Sequence, residues 1–416
     1  MVPNGWNRIA LEKIAEVRSG VAKGKKGLKA PIEVPYLRVA NVQDGHVDLT
    51  EVKTIEIEQD KLERYSLKYG DVLMNEGGDY DKLGRGDVWL GQIEPCLHQN
   101  HVFAVRPNQD IVDSFFLAAL AASNYGKTYF LSCAKRSTNL ASINSTQIKE
   151  FPVLVPPLPE QKKIAQILST WDKAITTTEQ LLANSQQQKK ALMQQLLTGK
   201  KRLLDKNGVR FSVEWIHGRL GDLCTFKGGS AFKEEYQGQT AGELPFIKVS
   251  DMNLPGNERS IEYPNNWVSV ETAKLMKAKP FPESSIVFAK VGAALLLNRR
   301  RILSRPTIID NNMMAAIPSN VADTEFLYQL LMAIDFARFV QEGAVPSINQ
   351  GDLSSFKLSY PDVEEQQKIA AALSTTDQEI AVLQQKLEAL KQEKKALMQQ
   401  LLTGKRRVKI DNKEVV

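Results

Sequence analysis

A twelve-residue stretch, KKALMQQLLTGK, occupies residues 189–200 and recurs letter for letter at 394–405. A repeat at a fixed offset constrains the fold before any local pattern does, because a repeated sequence unit implies a repeated structural unit. The same offset carries EQKKIAQILSTWDKAI at 160–175 onto EQQKIAAALSTTDQEI at 365–380, with no insertion from Glu160 to Lys200. Upstream the match loosens but keeps its order. VPYLRVANV at 34–42 answers LPFIKVSDM at 244–252, QNHVFAVRP at 99–107 answers DNNMMAAIP at 310–318, and SIN recurs at 142–144 and 347–349. Trp6 and Leu11 have counterparts in Trp215 and Leu220. The chain is a duplication, each half a divergent block of about 150 residues followed by a well-matched segment of about 40.

The matched segments read as helices. In the second copy Ile369, Leu373, Thr376, Ile380, Leu383, Leu387, Leu390, Lys394, Leu397 and Leu401 alternate spacings of four and three, the seam of a coiled coil. The first copy keeps that register through Ile164, Leu168, Trp171, Ile175, Thr178, Leu182, Ser185, Lys189, Leu192 and Leu196. Pro159 followed by Glu160 opens one helix, Asp362 with Glu365 makes a capping-box start for the other, and Gly199 and Gly404 supply left-handed ends. A helix of roughly 39 residues is about 58 Å long and its seam needs a partner. If the second helix runs back along the first, the seams pair antiparallel within one chain; pairing between two chains is the competing arrangement. Thr178, Ser185 and Lys189 dilute the seam, which means marginal packing or a register choice; in the functional reading Lys189 and Lys394 lie near the crossing point and touch a partner.

The divergent blocks mix both periods. VPYLRVANV, DVLMNEGG, HVFAVRP, LPFIKVSDM, SSIVFAK and TIIDNNMMAAIP read as short strands, and SFFLAALAAS and TEFLYQLLMAIDFARFV as helices. The expected class is α+β: two similar globular domains joined by two long antiparallel coiled-coil helices, in a pseudo-two-fold internal repeat. The expected boundaries are 1–155 for the first globule, 156–204 for the central helix, 205–360 for the second globule and 361–416 for the C-terminal helix and tail. Pro-rich VPPLPEQ at 155–161 and SYPDVEEQ at 359–366 mark the hinges.

The net charge is +6, but its distribution decides more than its size. Lys and Arg against Asp and Glu number 19 against 19 over residues 1–155, 10 against 4 over 156–210, 15 against 16 over 211–360 and 10 against 9 over 361–416. Nucleic-acid contact in the neutral globules has to come from local clusters, such as Lys23, Lys25, Lys26 and Lys29, or Arg299, Arg300, Arg301 and Arg305; a solvated charged loop accounts for either equally well. There is no apolar run long enough for a membrane span and no secretion-signal pattern at the start, so a cytoplasmic protein without a membrane partner is expected. Three scattered cysteines suggest no disulfide framework.

Catalytic patterns are missing. The only Pro-Pro, in Val155-Pro156-Pro157-Leu158, lacks the preceding Asp or Asn and following aromatic of an adenine methyltransferase, and no phosphate-binding G-x-x-x-x-G-K-[ST] loop occurs. Cys96, His98 and His101 in PCLHQNH have the look of a metal half-site, yet the other half carries Thr307, Ile309 and Asn312 there, so no metal is expected. NEGGDYDKLGRGD at 75–87 reads as a long hairpin loop.

A divergent globule ending in S-I-N, a run into PPLPEQKKIA, a long helix finishing LMQQLLTGKKRL, and then the pattern again resembles the specificity subunit of a type I restriction-modification enzyme. The resemblance covers essentially the whole chain. Copy two, reading Tyr360-Pro361-Asp362, does not repeat the Pro-Pro pair, a departure confined to the hinge. The resemblance implies that the globules are target recognition domains, each reading one half of a split sequence on double-stranded DNA. It implies a non-catalytic subunit docking two adenine-N6 methyltransferase subunits and, in complexes that cleave, restriction subunits. S-adenosylmethionine and ATP with Mg then belong to those partners, and this chain holds no cofactor. Arg reads guanine and Asn adenine, while Lys positions the backbone. The candidate DNA contacts are therefore Lys25, Lys26, Arg38, Asn41, Arg85, Asn139 and Asn144 in block one, and Lys227, Lys248, Asn253, Lys290, Arg299, Arg301 and Asn349 in block two. Asn144 and Asn349, in their shared SIN context, also fit as helix caps. The rival function is a coiled-coil scaffold with two protein-binding globules and no DNA readout; it predicts negligible DNA binding even at low salt.

Overall fold

A computed structural model describes residues 2–23, 28–78, 83–84, 86–136, 141–341 and 345–410. The chain divides into two compact units, one of residues 1–179 with 385–416 and the other of residues 180–384. The divisions fall inside the two long helices, Leu158–Leu196 and Val363–Leu401, each of 39 residues.

In the first unit the strand Val102–Pro107 lies between Ala15–Ser19 and Val72–Asn75, antiparallel to both, with Phe103 opposite Ser19 and Met74. It is almost wholly buried, which is why HVFAVRP is a continuous apolar run rather than an alternating one. A second sheet sets Pro31–Leu37 antiparallel to Lys53–Glu58 and parallel to Leu97–His98. Strand Asn7–Ala10 pairs with Pro152–Val155, so the block's first and last strands meet beside the helix start. The core gathers Trp6, Leu11, Phe116, Phe130 and Phe151 around Ile164 and Leu168 of the first long helix, Leu401 of the second and Leu402 just after it.

The second unit repeats this plan. Met313–Pro318 lies between Cys224–Gly228 and Ile286–Ala289 in a sheet extended by Arg300–Leu303 and Ser260–Ile261. Strand Ile216–Arg219 pairs with Lys357–Tyr360. Here Leu196 of the first helix, Leu197 just after it, and Ile369 and Leu373 of the second helix enter the core with Phe226, Phe288 and Phe326.

The seams close within the chain. In the first unit Lys394 pairs with Asp172, and Lys391 with Glu179 at 2.7 Å; in the second, Lys189 pairs with Asp377 and Arg202, past the helix end, with Glu365 at 2.6 Å. In both units the two helical segments therefore run antiparallel. Every one of the twenty seam positions is buried or half-buried. Gly199 and Gly404 take φ of 71° and 66°, as helix-ending residues do.

Several local expectations need correction. The strands anticipated at VPYLRVANV and LPFIKVSDM each stop early and close into a 3-10 turn, Val39–Asn41 and Val249–Asn253. The cause is a side chain that captures backbone: Asn41 accepts from the Arg38 N–H at 2.9 Å and Asp251 from the Lys248 N–H at 2.8 Å. The helix anticipated over 324–340 ends at Ala333, where Asp335 caps a separate turn, Phe336–Phe339. At the second long helix Asp362 accepts from the Glu365 N–H at 3.0 Å, but the Glu365 side chain turns elsewhere, so the capping box is only half made.

Candidate nucleic-acid interface

The nominated contacts sort by what their side chains already bind. Lys25, Lys26, Arg85 and Asn139 lie outside the described residues. Asn41 is buried and donates to the Asp48 and Glu51 carbonyls at 2.9 and 3.0 Å, so it builds its turn. Arg38 in the same turn is half-buried, donates to the Glu51 carbonyl at 3.3 Å and leaves its Nε unpartnered. Asn144 and Asn349 cap the helices Ser145–Lys149 and Gln350–Ser355 by accepting from the Gln147 and Asp352 N–H groups at 3.0 and 2.8 Å.

In block two, Arg301 is turned inward and donates to the Arg300 and Met252 carbonyls at 2.8 and 2.9 Å. Both bonds serve the fold, and the side chain offers little surface to a ligand. Its neighbour Arg300 is fully buried, lies 3.8 Å from the Phe336 ring centroid, and is pushed down by burial to about 10. Strand alternation sends these two arginines to opposite faces, while Arg299, just before the strand, is exposed and hydrogen-bonded to exposed Asn253. Lys248 donates to Gln237 at 2.7 Å. Lys227 is exposed on the edge strand, and Lys290 packs beside the adjoining Gly228, where a Cβ would stand 3.2 Å from its ammonium. Of the nominated groups in block two, those left for a ligand are thus exposed Lys227, half-buried Lys290 and the exposed Arg299–Asn253 pair.

The PCLHQNH cluster does not converge. The Cys96 thiol is buried and pushed up to about 12, and the His98 ring donates to the Val102 carbonyl at 2.6 Å and is pushed by burial down to about 4. His101 bonds Glu76 instead. Among the described residues no group of three or more His, Cys, Asp or Glu side chains is placed to hold a metal.

Sequence reasoning missed a pair of equivalent clasps. In the first unit the buried carboxylate of Glu160, at the first helix's start, accepts from Arg407 Nε and Nη2 at 2.6 and 2.7 Å and from Trp6 Nε1 at 3.2 Å. In the second unit the buried carboxylate of Glu365 accepts from Arg202 Nε and Nη2, both at 2.6 Å, and from Trp215 Nε1 at 3.1 Å. Each carboxylate raises the basicity of its arginine through those bonds. The signal was present: Trp, Glu and Arg recur in both copies, the arginines just after TGK. Gln161 and Gln366 are a second matched pair. Gln161 accepts from the Asp113 N–H at 2.8 Å and donates to the Ile111 and Pro156 carbonyls; Gln366 accepts from the Asp323 N–H at 2.9 Å and donates to those of Val321 and Pro361.

Each unit also has a groove where a long helix ends against the block. In the first, about 490 Å³ is lined by Tyr125, Tyr129, Pro152, Gln399 and Thr403; in the second, about 700 Å³ is lined by Met193, Gln194, Thr198, Leu330 and Phe356. Gln194 and Thr198 are the repeat counterparts of Gln399 and Thr403.

Comparison with known proteins agrees over nearly the full length. The family model described as the type I restriction modification DNA specificity domain matches twice, over residues 3–184 and 212–392. The putative type I restriction enzyme MjaX specificity subunit of Methanocaldococcus jannaschii is 30% identical over 426 residues, covering 98% of this chain and 95% of that protein. A chain from a structure of the type I R-M system, solved for its complex assembly and conformational transition, superposes with a TM-score of 0.61 at 17% identity, covering 98% of this chain and 100% of the other. The S subunit from M. genitalium does so with a TM-score of 0.56 at 14% identity, covering 99% of each. At those identities the solved structures speak for the fold alone. No helix among the described residues is long and apolar enough to cross a membrane.

Proposed function

The chain belongs to the family of type I restriction-modification DNA specificity subunits, and from that premise we propose that its two blocks each read one half of a split DNA target while its two long helices carry two methyltransferase subunits. As a specificity subunit it supplies recognition, and the chemistry lies in other subunits. S-adenosylmethionine and ATP with Mg then sit on those partners, restriction subunits join where the complex cleaves, and the complex works in the cytoplasm.

The observation that carries the two-partner reading is the pattern of identity along each helix. Leu192, Met193, Leu196 and Leu197 are held by packing, so the fold explains why their counterparts match. It does not explain Lys190, Gln194 and Gln195, which are exposed yet identical to Lys395, Gln399 and Gln400. Recent duplication does not explain them either, because exposed positions one or two turns earlier have diverged, as in Leu181 against Lys386, Ala183 against Glu388 and Gln186 against Lys391. A surface kept identical twice, bordering a groove each time, fits the same partner bound twice.

The test is to insert one heptad into both long helices and map methylation. The unread gap should lengthen with both half-sequences unchanged, and native mass measurement should give two methyltransferase subunits per chain. An unaltered gap would remove the helices from the measurement of spacing. DNA binding that is negligible even at low salt with all partners present would return the chain to the scaffold reading, since phosphate contacts must show as salt dependence.

A further inference from the structure

In each unit the block grips two helices by different means. Gln161 holds the start of the block's own helix through three hydrogen bonds, and Arg407, just past the end of the other helix, closes on Glu160 and Trp6. Arg407 further donates from Nη1 to the Asn4 carbonyl at 2.8 Å, so it ties the tail to the block's first residues. Unit two repeats every part: Gln366 holds the helix start, Arg202 closes on Glu365 and Trp215, and its Nη2 reaches the Val213 carbonyl at 2.8 Å. Leu401 and Leu196 already pack the far helix ends into the two cores, and the second grip adds hydrogen bonds that hold the angle between block and helices. The bidentate arginine–carboxylate geometry makes the second grip directional as well as strong.

We infer that Arg407 and Arg202 are positioning residues for target reading, each fixing the angle at which one recognition block meets the helices and hence the fidelity of one half-site only. The inference rests on the split-target reading above. Neither arginine touches the exposed polar groups proposed for DNA; the effect passes through orientation, since readout depends on side-chain placement within ångströms. The clasps are separate, one per unit, so their effects are separable by half-site.

The experiment measures kcat/KM for methylation by the complete complex of this chain and its methyltransferase subunits. The substrates are duplexes carrying the cognate target or a single mismatch in either half. Arg407→Gln should lower discrimination in one half by roughly tenfold, about what one good base contact supplies, with the other half and the gap unchanged. Arg202→Gln should do the same to the opposite half. Because either change strands a buried carboxylate, Glu160→Gln/Arg407→Met and Glu365→Gln/Arg202→Met remove both charges of a clasp, and they should relax the same halves without an orphaned charge. Arg407→Lys, which keeps the charge but not the fork, should fall between. Wild-type discrimination in the charge-free pairs overturns the inference, as does equal relaxation of both halves by each variant. A wild-type complex with no split preference would overturn the functional reading and the inference together.

Discussion

In the first unit a buried carboxylate, Asp71, sits under a bidentate Arg106, with both bonds at 2.7 Å. At the corresponding places of the second unit's sheet, where the Ile286–Ala316 pair answers Val72–Val105, stand Ser285 and Ile317. Buried His98 likewise faces Ile309 across the repeat. The clasps behave in the opposite way, keeping tryptophan, glutamate and arginine in both units at nearly equal distances. The blocks were free to exchange a polar for an apolar core solution because each need only be a stable platform with its own surface. The clasps and helix tails were not free, because both units must present the same grip on the same helices.

That contrast can be broken experimentally, and the largest effect falls on the buried pair. Arg106→Met leaves the wholly buried Asp71 carboxylate without its cation and with only the Lys68 N–H at 2.8 Å, and should cost the first unit about 3–5 kcal/mol. Asp71→Ser/Arg106→Ile, which copies the second unit, should recover most of it; denaturant unfolding followed by hydrogen exchange in each unit reads both. Failure of the copied pair to rescue would mean that the two sheets are not interchangeable at this position.

A smaller and pH-dependent difference comes from His98. Burial holds its folded pKa near 4, below the ordinary 6.5. The unfolded chain therefore takes up a proton that the fold excludes, and stability falls as pH drops from about 6.5 to about 4, with no further loss from this group below that. The full effect is about 3 kcal/mol. His98→Ile, the second unit's residue, should flatten this part of the first unit's pH profile; an unchanged slope would assign it to other groups.

The seam ion pairs should matter least. Lys394→Ala and Lys189→Ala each remove a partly exposed pair and should change stability by no more than about 1 kcal/mol. Of the two, Lys189→Ala should be milder, because Asp377 keeps Gln329 at 2.7 Å and Arg259 at 3.7 Å. A loss of several kcal/mol from either would make these pairs, and not the core leucines, the determinant of helix register.

The helices were legible because nothing competes with a sustained four-three pattern over 39 residues, and the duplication was legible from identity alone. The blocks' short strands were harder. In VPYLRVANV and LPFIKVSDM a single Asn or Asp side chain diverts the backbone into a turn, and strand period carries no sign of that. Surface chemistry was hardest, because residue type does not report orientation. In the run Arg299, Arg300 and Arg301, the first stands just before the strand and is exposed, while the other two are buried on opposite faces of it. The clasps lay in plain view in the repeat but join residues 247 and 163 positions apart, a distance that only the antiparallel return of the helices closes.

The most direct test of the central claim is a map of N6-methyladenine in DNA from a methylation-free host expressing this chain with its methyltransferase subunit, against the same host lacking the chain. Two specified half-sequences separated by a fixed unread gap, seen only when the chain is present, are the predicted result. An undivided motif, or the same methylation without the chain, would contradict it.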